Sequence, residues 1–200
     1  MSDENGCPLR SLPAFKLEKQ RGDVKETSDE QLMQAVASGE SKAFNELVLR
    51  YQGLAWKTSY RFLGDGMEAE DVAQEAFLKI LQAAPRYRPT ATFRTYFYRT
   101  LTNLCIDRTR RCRPIGMDDV PEVMDRSLGP QEALIEKERR AQVRTALDTL
   151  PPNQKAAMIL RHYEGLSYAE IAQILDITPK AVERLISRAR TSLQACLSHL

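Results

Sequence analysis

Between Arg86 and Arg113 eight arginines, Arg86, Arg88, Arg94, Arg99, Arg108, Arg110, Arg111 and Arg113, stand against a single acid, Asp107, with Tyr87, Phe93, Tyr96, Phe97 and Tyr98 among them. Guanidinium groups track phosphates, and aromatic faces or pockets receive bases that have left the stack, so this mixture suits single-stranded nucleic acid better than a duplex. A second set is Lys180, Glu183, Arg184 and Ser187, spaced at three and four, with Arg188 and Arg190 beyond. On a helix that spacing offers one face to the base edges or phosphates of a major groove, and Arg188 and Arg190 are better placed for the backbone. A third set is acidic: Asp65, Glu68, Glu70, Asp71 and Glu75 fall within eleven residues that contain no basic side chain.

The whole chain balances 29 Lys and Arg against 27 Asp and Glu over 200 residues, a formal net charge of +2. That balance excludes a protein that coats nucleic acid by bulk charge, so any such surface is local. With 42% apolar and 28% charged residues a core can form. No apolar run approaches the ~18 residues of a membrane span, and the opening MSDENGCPLR lacks an apolar segment behind a basic one, so the chain reads as cytoplasmic, without membrane insertion. Cys7, Cys105, Cys112 and Cys196 form no CxxC pair and read as free thiols; Cys196 and His199 alone make a weak C-x-x-H. No cofactor and no enzymatic activity are expected.

These groups are positioned by helices. Residues 1–26, with two prolines, two glycines and no period, read as a mobile tail. Ser28 and Gln31 form a capping-box pattern, and Leu32, Val36, Phe44, Leu47, Val48 and Tyr51 recur at helical spacing around a turn at Ser38 to Ser41, up to Gly64. A helix from about Glu68 to Ala83 ends at Pro85 and Pro89. Another runs from about Phe93 to Arg111, with Phe93, Phe97, Leu101 and Leu104 as its core stripe and Tyr96 and Tyr98 off it. Residues 113–130, with three prolines and two glycines, read as a linker. Helices follow over Glu132 to Leu147 and from Pro152 to Tyr163.

The end of the chain, Ser167 to Leu175 and Thr178 to about Leu197, has the pattern of a helix-turn-helix. Ile171, Leu175, Ile177, Val182 and Leu185 supply one shared apolar face, Ala172 is small at the crossing, and Asp176 sits where the turn needs a left-handed residue. Thr178 caps the second helix and Pro179 opens it. The expectation is an all-α protein of two small helical domains, 27–112 and 131–200, joined by a flexible acidic linker.

Phe93 to Arg111, FRTYFYRTLTNLCIDRTRR, resembles the promoter-melting and minus-10 segment of extracytoplasmic-function (ECF) sigma factors of the sigma-70 family, with Tyr96 where their F-x-T-W-L-Y-R pattern has Trp. Ser28 to Asp65 resembles the opening helices of sigma region 2, and Glu68 to Ile80, EAEDVAQEAFLKI, resembles its polymerase-binding part. Leu150 to Leu193 resembles region 4, although Glu183 stands in a usually basic slot of the recognition helix. The resemblance implies a sigma factor that binds core RNA polymerase and promoter DNA, with an anti-sigma factor as a candidate partner. It implies minus-10 and melting contacts at Arg86, Arg88, Arg94, Thr95, Tyr96, Arg99, Asn103, Arg110 and Arg111. Minus-35 contacts are then Lys180, Glu183, Arg184, Ser187, Arg188 and Arg190, and polymerase contacts are Asp71, Gln74, Glu75 and Leu78.

The linker's 18 residues extend to roughly 60 Å at ~3.3 to 3.6 Å each, comparable with about 17 base pairs, so two domains could reach separated promoter elements. Six acids against Arg126 between Pro114 and Glu136 read either as a solvated spacer or, by the resemblance, as a strand threading the polymerase's RNA path. Two other readings compete. A stand-alone helix-turn-helix regulator would bind operators without polymerase. A carboxylate metal cluster at Glu68 to Glu75 lacks the Glu-x-x-His pairs that helical-bundle sites employ.

Overall fold

The computed structural model describes residues 27–111 and 142–197. The predicted tail (1–26), the linker (113–130) and most of the helix expected from Glu132 lie outside the described residues. All described regular structure is helical: α1 (Asp29–Ala37), α2 (Ser41–Leu63), α3 (Gly66–Ala83), a 3-10 turn (Ala84–Arg86), α4 (Phe93–Arg111), the described part of α5 (142–148), α6 (Pro152–His162), α7 (Tyr168–Leu175) and α8 (Pro179–Leu197).

Local chemistry sets most boundaries. Ser28 accepts the Gln31 backbone N–H while the Gln31 side chain returns to the Ser28 N–H, a reciprocal cap that fixes the start of α1. Gly64 ends α2 at φ 76°, a left-handed conformation that L side chains rarely adopt. Asp65 then caps α3 through the Glu68 N–H at 2.8 Å. The start of α4 is capped from a distance: Glu30 on α1 accepts the Phe93 N–H at 2.9 Å, across 63 positions of sequence. This ties the arginine-rich helix to α1, the first of the described helices.

Helices α1 to α4 close on Met33, Leu47, Ala55, Phe62, Val72, Ala76, Ile80, Phe93, Phe97 and Leu101, all buried. Tyr51 stands edge-on to Phe93 at 5.2 Å and against Phe97 at 4.7 Å, with its hydroxyl donating to Asp29 at 2.6 Å. Burial, followed by that carboxylate, pushes the Tyr51 phenol pKa well up, so it remains a donor. Helices α6 to α8 bury Ala156, Ile159, Leu160, Leu166, Ile171, Ala172, Ile174, Val182 and Ile186. The apolar face of the hairpin thus centres on Ile171, Ile174, Val182 and Ile186, while Leu175, Ile177 and Leu185 are half-buried at its rim. Leu147, Leu150 and Ala189 form a smaller satellite cluster beneath α8.

The two groups of helices share one apolar core, with α4 packed on α6 and α7 and α2 packed on α6. Nothing in the periodicity of either half signals this, because a helix with two buried faces and a helix with one broad face have similar patterns. Tyr98, expected off the core stripe of α4, is fully buried at the junction, 0% exposed.

Candidate nucleic-acid interface

The 3-10 turn and the loop after it carry Arg86 and Arg88 outward, both exposed. Beneath them Tyr87 and Tyr96 meet edge-on at 5.2 Å, and Tyr96 also lies 6.3 Å from Phe93. Burial raises the pKa of both phenols, so they stay neutral; Tyr87 Oη is buried without a hydrogen-bond partner among the described residues. Thr95 is only 5% exposed and pairs its hydroxyl with Thr92 at 2.9 Å, which places it as a support of the loop rather than on its outer face. Asn103, Arg110 and Arg111 are exposed further along α4, Arg110 beside Asp107 at 4.0 Å.

The remaining α4 arginines are engaged within the chain. Arg94 Nη2 donates to the Glu164 carbonyl at 2.8 Å and lies 5.6 Å from the centre of the Tyr98 ring. Arg99 pairs with Asp176, the left-handed residue of the helix-turn-helix, at 3.7 Å. Arg108 binds Glu68 at 2.6 Å and stands 3.9 Å from Glu75, holding α4 to α3.

The helix-turn-helix has the geometry its sequence predicts. Ser167 and Glu170 cap α7 reciprocally, Asp176 takes φ 56°, and the Thr178 hydroxyl accepts the Ala181 N–H at 3.2 Å. The Ser167 hydroxyl and N–H also hold the Glu170 carboxyl pKa down. Lys180, Glu183, Arg184, Ser187, Arg188 and Arg190 are all exposed along α8. At its inner edge Arg184 and Arg188 border a groove of ≈ 190 Å³ floored by Leu175, Ile177, Ala181 and Leu185 and closed by Asn153. No carboxylate among the described residues pairs with Lys180, Arg184, Arg188 or Arg190.

On α3, Asp71 and Gln74 are exposed, Gln74 donating to Glu70 at 3.3 Å, and Glu75 pairs with Lys79 at 3.3 Å. Leu78 is 57% exposed, with Leu81 also open to solvent one turn on, and Met67 exposed at the start of the helix. No group of three metal-capable side chains occurs among the described residues. Burial pushes the Cys105 thiol up to about 12, leaving it a small apolar core residue.

The junction between the two helical groups centres on a residue the sequence reading did not single out. Glu164, in the turn after α6, is 8% exposed. Its carboxylate accepts from Thr58 at 2.8 Å, Arg61 at 3.1 Å and Tyr98 at 2.7 Å. Burial and this carboxylate push the Tyr98 phenol pKa well up, so the hydroxyl remains a donor. Nearby, the buried Lys155 ammonium donates to the Phe62 carbonyl and to Asp148. No sequence signal marks these partners, which lie 66 to 106 positions from Glu164 in the carboxylate set.

Two family models match this chain: Sigma-70 region 2 over residues 47–114, and Sigma-70, region 4 over residues 140–193. Over 183 residues it is 34% identical to the RNA polymerase sigma-H factor of Pseudomonas aeruginosa, a match covering 86% of this chain and 95% of that protein. The chain belongs to the ECF sigma-70 family of RNA polymerase sigma factors. The ECF RNA polymerase sigma-E factor of Escherichia coli is 33% identical to it over 177 residues, 83% of this chain and 92% of that one. The solved structure of CnrH in complex with the cytosolic domain of CnrY superposes with a TM-score of 0.66 at 28% identity, covering 86% of this sigma factor and 97% of CnrH. The sigma factor RpoE of Bartonella quintana, solved with the anti-sigma factor NepR, shares the fold at a TM-score of 0.62 and 20% identity, over 78% and 98% of the two chains.

As a sigma factor the protein is a non-enzymatic subunit that directs promoter-specific transcription initiation by RNA polymerase. Family membership decides against the stand-alone regulator. Among the described residues no helix is long and apolar enough to cross a membrane.

Proposed function

We propose that this sigma factor divides promoter reading between residues 27–112 and residues 131–200. The α8 face reads the minus-35 duplex through Lys180, Glu183, Arg184 and Ser187, with Arg188 and Arg190 on flanking phosphates. The Arg86–Arg88 loop, Tyr96 and the α4 side chains Arg94, Arg99, Asn103, Arg110 and Arg111 hold the melted minus-10 strand, with Thr95 shaping the loop. Asp71, Gln74, Glu75 and Leu78 on α3 dock on a basic helix of core polymerase.

The observation that carries this reading is the coexistence of two basic surfaces of different construction. The α8 surface is a smooth helical face of cations next to a tight turn, the form that enters a major groove. The α4 surface is a loop of arginines over paired tyrosine rings, the form that traps unstacked bases. Extrusion of a base costs a few kcal/mol, offset only when the base is captured. The exposed Leu78 beside Asp71 and Gln74 supports the polymerase contact, since an apolar anchor rimmed by charge is the usual composition of a binding patch.

A protein that holds the sigma factor inactive, of the anti-sigma class, fits as a further partner: the similar CnrH was solved bound to the cytosolic domain of CnrY. Transcription in vitro with core polymerase on a promoter library tests the scheme. Two elements at a fixed separation should be enriched, and Arg99→Ala should slow open-complex formation on a duplex promoter but not on one already melted. Unchanged opening with Arg99→Ala would remove α4 from the melting step.

A further inference from the structure

Between Lys180 and Arg190 the exposed side of α8 carries four cations, Lys180, Arg184, Arg188 and Arg190, and a single acid, Glu183. Val182, Ile186 and Ala189, at spacings of four and three, are buried and fix the helix on its bed, so its outward side chains are offered in one orientation. Glu183 is exposed in the second turn, three residues after Lys180 and four before Ser187. Arg184 and Arg188 border the apolar groove on the other flank. No basic side chain among the described residues pairs with the Glu183 carboxylate, and no donor among them bonds to it.

An unneutralised carboxylate is poorly suited to a surface that meets phosphates, because a duplex carries one negative charge per ~1.7 Å of its axis. Glu183 therefore lowers affinity for DNA in general. It contributes favourably only where the DNA supplies a donor, and the edges of the major groove supply few. Guanine presents N7 and O6, both acceptors, and thymine presents O4 and a methyl group. Adenine presents its N6 amino group with the acceptor N7 beside it, so one carboxylate oxygen is attracted and the other repelled. Cytosine presents its N4 amino group with no acceptor of its own alongside.

We propose that Glu183 is a specificity residue that selects cytosine at one position of the minus-35 element, by accepting from its N4 amino group, and rejects the other three bases there. This rests on the reading of α8 given above. The guanine paired with that cytosine presents O6 and N7 in the same groove, where Lys180, one turn before Glu183, and Arg184, beside it, are donors without a carboxylate partner. A C·G pair thus satisfies the acid and a neighbouring cation together. Any other base leaves the carboxylate desolvated against an acceptor or a methyl group, which costs more than the missing bond. Selection at this position works by rejection as much as by attraction.

The test uses holoenzyme formed from core polymerase and the full chain, as wild type, Glu183→Gln and Glu183→Ala, on duplex promoters carrying each of the four bases at each minus-35 position. Wild type should favour cytosine about tenfold at one position. Glu183→Gln, whose amide accepts from adenine N6 and donates to N7, should transfer that preference to adenine. Glu183→Ala should level the four bases there, raise binding to the three rejected bases about threefold, and leave preferences elsewhere within about twofold of wild type. A wild type without a cytosine preference, or one whose cytosine preference survives in Glu183→Ala, overturns the inference. Arg184→Ala separates it from the reading beneath it. If Arg184→Ala alters minus-35 preferences and the Glu183 variants do not, the cytosine assignment alone falls. If neither alters them, α8 does not read the minus-35 duplex and both fall.

Discussion

Helices α4 and α8 are both rich in cations, and the chain treats them in opposite ways. On α8, Lys180, Arg184, Arg188 and Arg190 stand clear of any carboxylate among the described residues. On α4, Arg94, Arg99 and Arg108 are each occupied by an acceptor from another helix or turn. The difference matches the division of binding proposed for the two surfaces. Duplex DNA is always present with its phosphates displayed, so a permanently exposed helical face suffices. Under the proposed function a melted strand must compete with these internal contacts, whereas a duplex on α8 meets no such competition.

The comparison is first open to attack through the shared core. Phe97 touches Tyr51, Phe77 and Tyr98, and Phe97→Ala should cost about 3 to 5 kcal/mol, lowering a single thermal transition of the whole protein. Two separate transitions, with only the first displaced, would show that the halves fold independently and that the contrast between α4 and α8 is one of two unconnected domains. On α8, Arg184→Ala should weaken use of the upstream element by about 1 to 3 kcal/mol at particular base pairs. Arg188→Ala should weaken all sequences alike and reduce the salt slope by about one. Footprinting across a set of promoter variants at several salt concentrations distinguishes these patterns.

A smaller effect sharpens the role of the turn. Ser167→Ala removes the reciprocal cap of α7 and should cost about 1 kcal/mol in chemical denaturation, loosening the helix-turn-helix more than α4. The smallest effect concerns His162, whose pKa burial lowers below 6.5, reinforced by Arg190 and Arg161. Because the unfolded chain then binds a proton more readily, stability is complete above about pH 6.5 and declines as acid protonates the group. His162→Gln should flatten that part of the stability profile in urea titrations at successive pH values.

Much of the scaffold could be read along the chain because its causes are local. Ser28 with Gln31, Ser167 with Glu170, Gly64 and Asp176 announce helix ends through bonds spanning three or four residues, and the structure forms each of them. Phe93 and Phe97 were legible as core from spacing alone. The failure at Tyr98 has an equally definite cause. Its place one residue beyond Phe97 turns it away from the first core and toward α6 and α7, and only a partner from the other half of the chain could reveal that this direction is also interior. Leu175 and Leu185 erred the other way: their period is right for burial, but the hairpin closes tightest on Ile174 and Ile186 and leaves them beside the groove.

The order of residues alone therefore determined the helices, the local caps of α1, α3 and α7, the charge of each face and the family, since all of these depend on neighbours within a turn or on motifs read in series. Tertiary structure decided which cations are available and which are held. A charge contributes according to what lies within a few ångströms of it, and for Arg94, Arg99 and Glu164 those neighbours come from the other half of the chain.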